Sequence, residues 1–365
     1  MADISALLIV APNWLGDAVM ALPAMRDLRS LAPAARLVVA VRRPLADLFS
    51  LVPGVDHVIP LDWRGRLFDD ARCRADARAV AATGADAAVL FPNSFASAWL
   101  VRRAGIRQRW GYAADARRLL LTRAVARPAG SVHQVEYYQQ LVRSLGAVTG
   151  SAEPLLRIPD AAREACASRL AALGWDAARP LVVVAPGAAY GGAKRWPPEH
   201  FAALIEALVH EQGATCVLVG SGADRSTTSE IGQRLAPASR SQVIDVTGET
   251  SIVELAAAMA LARLCVTNDS GALHVAAAAG VAVVALFGPT REYETAPSPS
   301  PRRTIDVLVN PVSCRPCMLR ECPIDHRCLR GLLPRQALDA SSAVLRRARP
   351  AGPPPEPPPP SGVAR

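Results

Sequence analysis

Residues 266–290 read VTNDSGALHVAAAAGVAVVALFGPT. An apolar run ends at Asn268-Asp269-Ser270-Gly271, a helix of small residues follows, and a second apolar run stops at Gly288-Pro289. That order predicts strand, tight polar turn, helix, strand: one βαβ unit with its turn at the carboxyl end of a strand. The turn sets an acid, a hydroxyl and a glycine at a helix start, where unpaired N–H groups and the positive dipole end attract phosphate. His274, three residues after Gly271, falls on the first turn and can face the same anion. Asp and Ser also cap ordinary helices, so the turn taken alone fits either reading.

A second turn of this type lies in VVVAPGAAYGGAKRWPPEHF, residues 182–201, after a predicted strand over 181–185. It holds Lys194, the single lysine among 41 basic residues. Arginine serves everywhere else, which suggests that a guanidinium would not serve here. Gly187, Gly191 and Gly192 can bring backbone N–H groups close to a phosphate, and lysine adds a compact point charge. The spacing is not that of a GxxxxGK[ST] loop. A solvated loop lysine is the alternative.

The chain has 365 residues and 51% hydrophobic content, enough for two domains with their own cores. Its longest apolar run, Val275–Phe287, is broken by Gly280 and falls short of the roughly 18 residues of a spanning helix. The N-terminal MADISALLIVAP has no basic leader region, so a cytoplasmic protein without a signal peptide is expected. The eight cysteines then read as reduced thiols or metal ligands.

Strand patterns over 5–11, 36–41, 57–61 and 86–91 alternate with helical stretches, and the scheme repeats over 181–186, 215–220, 242–246, 263–267 and 282–287. The fold class is therefore α/β: two doubly wound, Rossmann-like domains facing a cleft, the GT-B architecture. The expected domains are 1–165, binding acceptor, and 166–348, binding donor, followed by a disordered proline-rich tail over 349–365. No GxGxxG follows the first strand, which argues against a dehydrogenase. The first strand ends instead in Pro12-Asn13-Trp14-Leu15-Gly16-Asp17, with a helix expected from Ala18. There Asp17 faces the cleft, where a carboxylate can take a proton from an attacking hydroxyl. It could equally cap the helix.

Four stretches, IVAPNWLGDAVMALPAMRDLR (9–29), LFPNSFASAWL (90–100), APGAAYGGAKRWPPEHF (185–201) and TNDSGALHVAAAAGVAVVALFGPT (267–290), resemble the ADP-heptose:lipopolysaccharide heptosyltransferases, most like their type II branch. The likeness runs in order from about residue 6 to 330. It implies that Asp17 is the general base and that Lys194, beside Gly187, contacts the donor diphosphate. Asp269, Ser270, Gly271 and His274 would bind the sugar and phosphates of ADP-heptose. Asn13, Gly16, Asn93 and Ser94 are candidates on the acceptor side.

The resemblance further implies an inverting enzyme without metal or cofactor, working at the cytoplasmic face of the inner membrane. The acceptor would be the first heptose of heptosyl-Kdo2-lipid A. A relative adding the first or a later heptose, and a nucleotide-sugar-binding protein without turnover, are the alternatives. No Asp-x-Asp motif is present, consistent with a metal-independent transfer.

Residues 1–150 carry 19 arginines and 12 acids, a net +7, whereas residues 151–365 carry a net +2. The excess charge thus falls on the expected acceptor half and would attract lipid A phosphates, Kdo carboxylates and an anionic membrane surface. Arg64, Arg66, Arg72, Arg74 and Arg78 form one cluster, and Arg102, Arg103, Arg107 and Arg109 another. Nucleic acid is not an expected partner, because no recognised motif accompanies the pI near 9.6 and aromatics are only 5%. Cys314, Cys317, Cys322 and Cys328, with His326 among them, could hold a structural Zn²⁺ or be plain thiols in a loop bordering the cleft. Cys73, Cys166, Cys216 and Cys265 read as fillers.

Overall fold

The computed structural model describes residues 4–66, 69–298, 300 and 303–347, so the proline-rich 349–365 lies outside the described residues. Two six-stranded sheets make up the molecule. The first contains β1 (Ala6–Val10), β2 (Arg36–Arg42), β3 (His57–Leu61), β4 (Ala87–Leu90), β5 (Gln108–Tyr112) and β6 (Arg123–Val125) in the order β3-β2-β1-β4-β5-β6. The second contains β7 (Leu181–Ala185), β8 (Thr215–Leu218), β9 (Val243–Asp245), β10 (Leu264–Asn268), β11 (Val283–Phe287) and β12 (Ile305–Val309) in the order β12-β11-β10-β7-β8-β9. Read from β9, this is the same winding, and every strand pair in both sheets is parallel.

The apolar runs form strands because both faces of each sheet are covered: every residue of β1, β4, β7, β10 and β11 is buried. The strands that the sequence does not announce are β5, β6 and β12. β6 and β12 are edge strands, half exposed, and β5 (QRWGY) has no apolar run.

Helix Asp160–Ala172 spans the domain boundary expected at 165/166 and packs with the second unit. Cys166 Sγ lies 4.0 Å from the Glu254 carbonyl, and Arg169 pairs with Glu254 at 3.2 Å and Glu249 at 3.3 Å. The preceding segment touches both units. Leu156 N–H donates to the Ala278 carbonyl (3.1 Å) and Arg157 N–H to the Leu51 carbonyl (2.8 Å). One apolar cluster runs without a break from Leu7 and Ile9 through Val19 and Leu273 to Val283 and Phe287. The two units therefore meet over a packed seam.

Candidate active site

In each sheet the strand order reverses at one place, between β1 and β4 and between β7 and β10. Ligands of doubly wound sheets bind at the carboxyl ends of the strands flanking such a point. The turns read from sequence leave those strands: Asp17 follows β1, Asn93-Ser94 follows β4, Lys194 follows β7 and Asp269-Ser270-Gly271 follows β10.

Two helix starts interlock across the seam. A Cβ on Gly16 would lie 2.7 Å from His274 Cδ2, and one on Gly271 would lie 2.9 Å from Leu15 Cβ. Each glycine is the socket for a side chain of the opposite helix, which brings Asp17 up to the donor-side turns.

Both capping alternatives fail. Helix Leu15–Met20 starts ahead of the expected Ala18; Trp14 occupies its N-cap and Asp17 sits inside its first turn. Ser270 does occupy the N-cap of helix Gly271–Ala279, but its side chain makes no capping bond and instead lies 3.3 Å from Thr267 Oγ1. No side chain therefore caps the helix start, leaving its first N–H groups for an anion.

Lys194 Nζ is 2.5 Å from Asp269 Oδ2, and the Thr290 hydroxyl donates to the same oxygen at 2.5 Å. The Tyr190 ring centroid lies 4.6 Å from Nζ. The fully buried Asn268 accepts from Trp196 N–H (3.1 Å) and donates to the Pro186 carbonyl (2.7 Å). Burial pushes the Asp17 carboxyl up to about 6; the Lys194 charge opposes the rise and the Asp269 charge adds to it. Burial pushes His274 down to about 4, so at neutral pH it meets a ligand as a neutral imidazole. Beside it an interdomain cavity of about 320 Å³ is lined by His274, Met20, His133, Glu153 and Arg303.

Ser94 caps helix Phe95–Arg103, its hydroxyl accepting the Ser97 N–H at 3.3 Å, so its structural role is already assigned. Asn93 donates to the Tyr137 hydroxyl at 2.8 Å, and its buried Oδ1 has no partner among the described residues. Asn13 is exposed on the turn. A Cβ on Gly187 would meet the Asp224 carboxylate 2.4 Å away. Gly191 and Gly192 pack on Arg320 and Glu321 and do not form an open cradle.

Among the described residues no three His, Cys, Asp or Glu side chains converge to hold a metal ion, so Cys314, Cys317, Cys322 and Cys328 do not make a ligand set in this geometry. Cys314 and Cys317 are exposed, while Cys328 is buried. Cys73, Cys166, Cys216 and Cys265 are buried as fillers, and burial raises the Cys216 thiol to about 12.

Sequence alone assigns no role to Tyr190, Thr290, Asn268 or Asp224. Tyr190 has a signal in sequence, an aromatic four residues before the lone lysine. The others act on groups far along the chain.

The model of glycosyltransferase family 9 (heptosyltransferase) matches residues 73–327. The chain belongs to this family. Among its relatives, lipopolysaccharide heptosyltransferase 2 of Salmonella typhimurium is 30% identical over 311 residues, covering 83% of this chain and 88% of that protein. Lipopolysaccharide heptosyltransferase 2 of Escherichia coli is 29% identical over 348 residues, covering 93% and 98%. The solved structure of E. coli ADP-heptose lipopolysaccharide heptosyltransferase II superposes with a TM-score of 0.81 at 27% identity, covering 94% of this chain and 99% of that one. As a family 9 glycosyltransferase the protein is an enzyme, and its two sheets are the paired Rossmann-like domains of the GT-B fold.

Proposed function

We propose that the chain moves heptose from ADP-heptose to the first heptose of the lipopolysaccharide inner core, with inversion at the anomeric carbon. One observation carries the mechanism: the interlocked helix starts set the half-buried Asp17 across the seam from the Lys194–Asp269 pair and an uncapped helix start, and burial pushes its carboxyl up to about 6. Ionised Asp17 takes the proton of the acceptor hydroxyl as its oxygen attacks the anomeric carbon. The bond to the diphosphate breaks on the opposite face, and the electron pair leaves with ADP. Lys194 and the N–H groups at Gly271 meet the charge that develops on the leaving diphosphate. Asp269 holds Lys194 in place, and neutral His274 offers a hydrogen bond rather than a charge.

The acceptor's setting supports a peripheral position on an anionic membrane. Arg72 pairs with Asp69, and Arg74 and Arg103 share Asp70. Arg64, Arg66, Arg102 and Arg118 are exposed around the stacked, partly exposed Phe95 and Trp99, whose rings are 6.3 Å apart. Phe95, Trp99 and Arg102 share one face of their helix, and Leu119 stands 90% exposed in the short 3-10 helix Arg117–Leu120.

Mass spectrometry of heptosyl-Kdo2-lipid A incubated with ADP-heptose and the protein tests the reading. A gain of one heptosyl unit is expected, and none when the acceptor lacks its first heptose. Gain on that shorter acceptor would make this the enzyme of the first heptose. ADP-heptose binding with no gain on any core acceptor would leave a binding protein.

A further inference from the structure

Segment 315–321 bridges the two loops that hold the Lys194–Asp269 pair. On the lysine side, the Tyr190 hydroxyl donates to the Met318 carbonyl (2.7 Å), Ala193 N–H to the Arg320 carbonyl (2.9 Å) and Gly192 N–H to the Glu321 carboxylate (3.0 Å). On the aspartate side, Arg315 donates to the carbonyls of Gly288 (2.9 Å) and Thr290 (3.1 Å) and pairs with Glu292 (2.8 Å). Met318 N–H adds a bond to the Pro289 carbonyl at 3.0 Å. Thr290 is the residue whose hydroxyl holds Asp269 Oδ2. The fit is close, since a Cβ on Gly191 would stand 2.3 Å from the Arg320 carbonyl oxygen.

Tyr190 joins the segment to the charge. Its ring lies 4.6 Å from Lys194 Nζ and 5.3 Å from the Arg320 guanidinium. Two cations share one ring, and their mutual repulsion is offset by the electron-rich aromatic surface. Lysine has four rotatable carbons and a mobile head, so a preset Nζ needs more than one contact. The Asp269 carboxylate supplies one and the Tyr190 ring the other. The compact ammonium of Lys194 meets both at once.

We propose that segment 315–321, acting through Tyr190 and Thr290, is a positioning element for the donor diphosphate: it sets the Lys194 ammonium against Asp269 before the nucleotide arrives. The proposal rests on the reading of Lys194 as a diphosphate ligand. Preorganisation of this kind removes the cost of ordering the side chain on binding. The same element governs Asp17, because the Lys194 charge opposes the rise of its pKa.

The test is calorimetric titration of ADP into the full-length wild type and the variants Lys194→Ala, Tyr190→Leu, Tyr190→Phe and Arg315→Gln. Tyr190→Leu, which removes the ring, weakens ADP by about tenfold. Tyr190→Phe keeps the ring and loses one hydrogen bond, so it weakens ADP by only about twofold to threefold. Arg315→Gln lies on the far side of the bridge and weakens ADP by about threefold or more. The acid limb of the transfer rate also moves to higher pH in Tyr190→Leu, a change that a loss of general stability does not produce. A folded Tyr190→Leu with wild-type ADP affinity and an unmoved acid limb overturns the proposal. If that variant does not fold, unchanged affinity in Arg315→Gln overturns it. Unchanged affinity in Lys194→Ala sinks the donor reading itself, whereas wild-type ADP binding without transfer sinks only the reaction.

Discussion

Asp17 is the residue whose chemistry and stability pull in opposite directions. Burial pushes its carboxyl from the ordinary carboxylate range up to about 6. The folded state therefore holds this proton more tightly than the unfolded state does. The group favours folding below about pH 4, loses that contribution as pH rises through 6, and is a constant burden above it. Asp17→Asn should cut transfer by a factor of about 10² to 10⁴ while ADP affinity stays near wild type. It should also raise the unfolding free energy at pH 8 by about 2 kcal/mol, read from urea denaturation. A variant that is less stable than wild type at pH 8 would show that burial does not burden the acid. In the wild type, kcat/KM should climb as pH passes 6, since only the ionised acid accepts a proton.

Asp17, Lys194, Asp269 and His274 were legible in the chain because each stands in a turn whose residue types have few other uses. Thr290 was not, since it reaches Asp269 from 21 residues away. The roles of Gly187, Gly191 and Gly192 were also hidden. Their missing side chains make room for Asp224, Arg320 and Glu321, none of which a local reading can bring near.

Between elements, the decisive contact is the interlock of helix Leu15–Met20 with helix Gly271–Ala279. Gly16→Ala places a methyl group 2.7 Å from His274 Cδ2 and forces the helices apart. A cost of about 1–3 kcal/mol is expected from overpacking of this kind. In a His274→Ala background the imidazole is gone and the same substitution should cost little, giving a coupling above about 1 kcal/mol in a double-mutant cycle of unfolding free energies. Equal costs in the two backgrounds would mean that the seam relaxes around the methyl. The buried strands were legible from their apolar runs. β5, β6 and β12 were not, because β6 and β12 are half exposed and β5 owes its place to its neighbours. Helix Asp160–Ala172, which spans the boundary expected at 165/166, reaches Glu254 through Arg169 and Cys166, and composition shows neither contact.

Taken whole, the molecule carries its charge asymmetrically, a net +7 in residues 1–150 against +2 in the remainder. The protein should co-sediment with vesicles containing anionic lipid, bind neutral vesicles weakly, and be released by about 0.5 M salt as the charges are screened. Replacing Phe95 and Trp99 together by serine should reduce binding to anionic vesicles by about fivefold or more, through lost apolar burial at the interface. Equal binding to neutral and anionic vesicles, or an unchanged double variant, would place the docking face elsewhere. The charge was visible in the sequence. The aromatic face was not, since only the set of helix Phe95–Arg103 turns Phe95 and Trp99 outward.

The Asn268 side chain has a consequence for how the enzyme can change. One buried amide grips the Pro186 carbonyl with its nitrogen and the Trp196 N–H with its oxygen, so both ends of the 187–195 loop are tied to the end of β10. The loop is thereby anchored at both ends to the strand that leads into Asp269. A single amide thus couples the placement of Lys194 to that of Asp269, so a change at Asn268 reaches both partners of the ion pair at once.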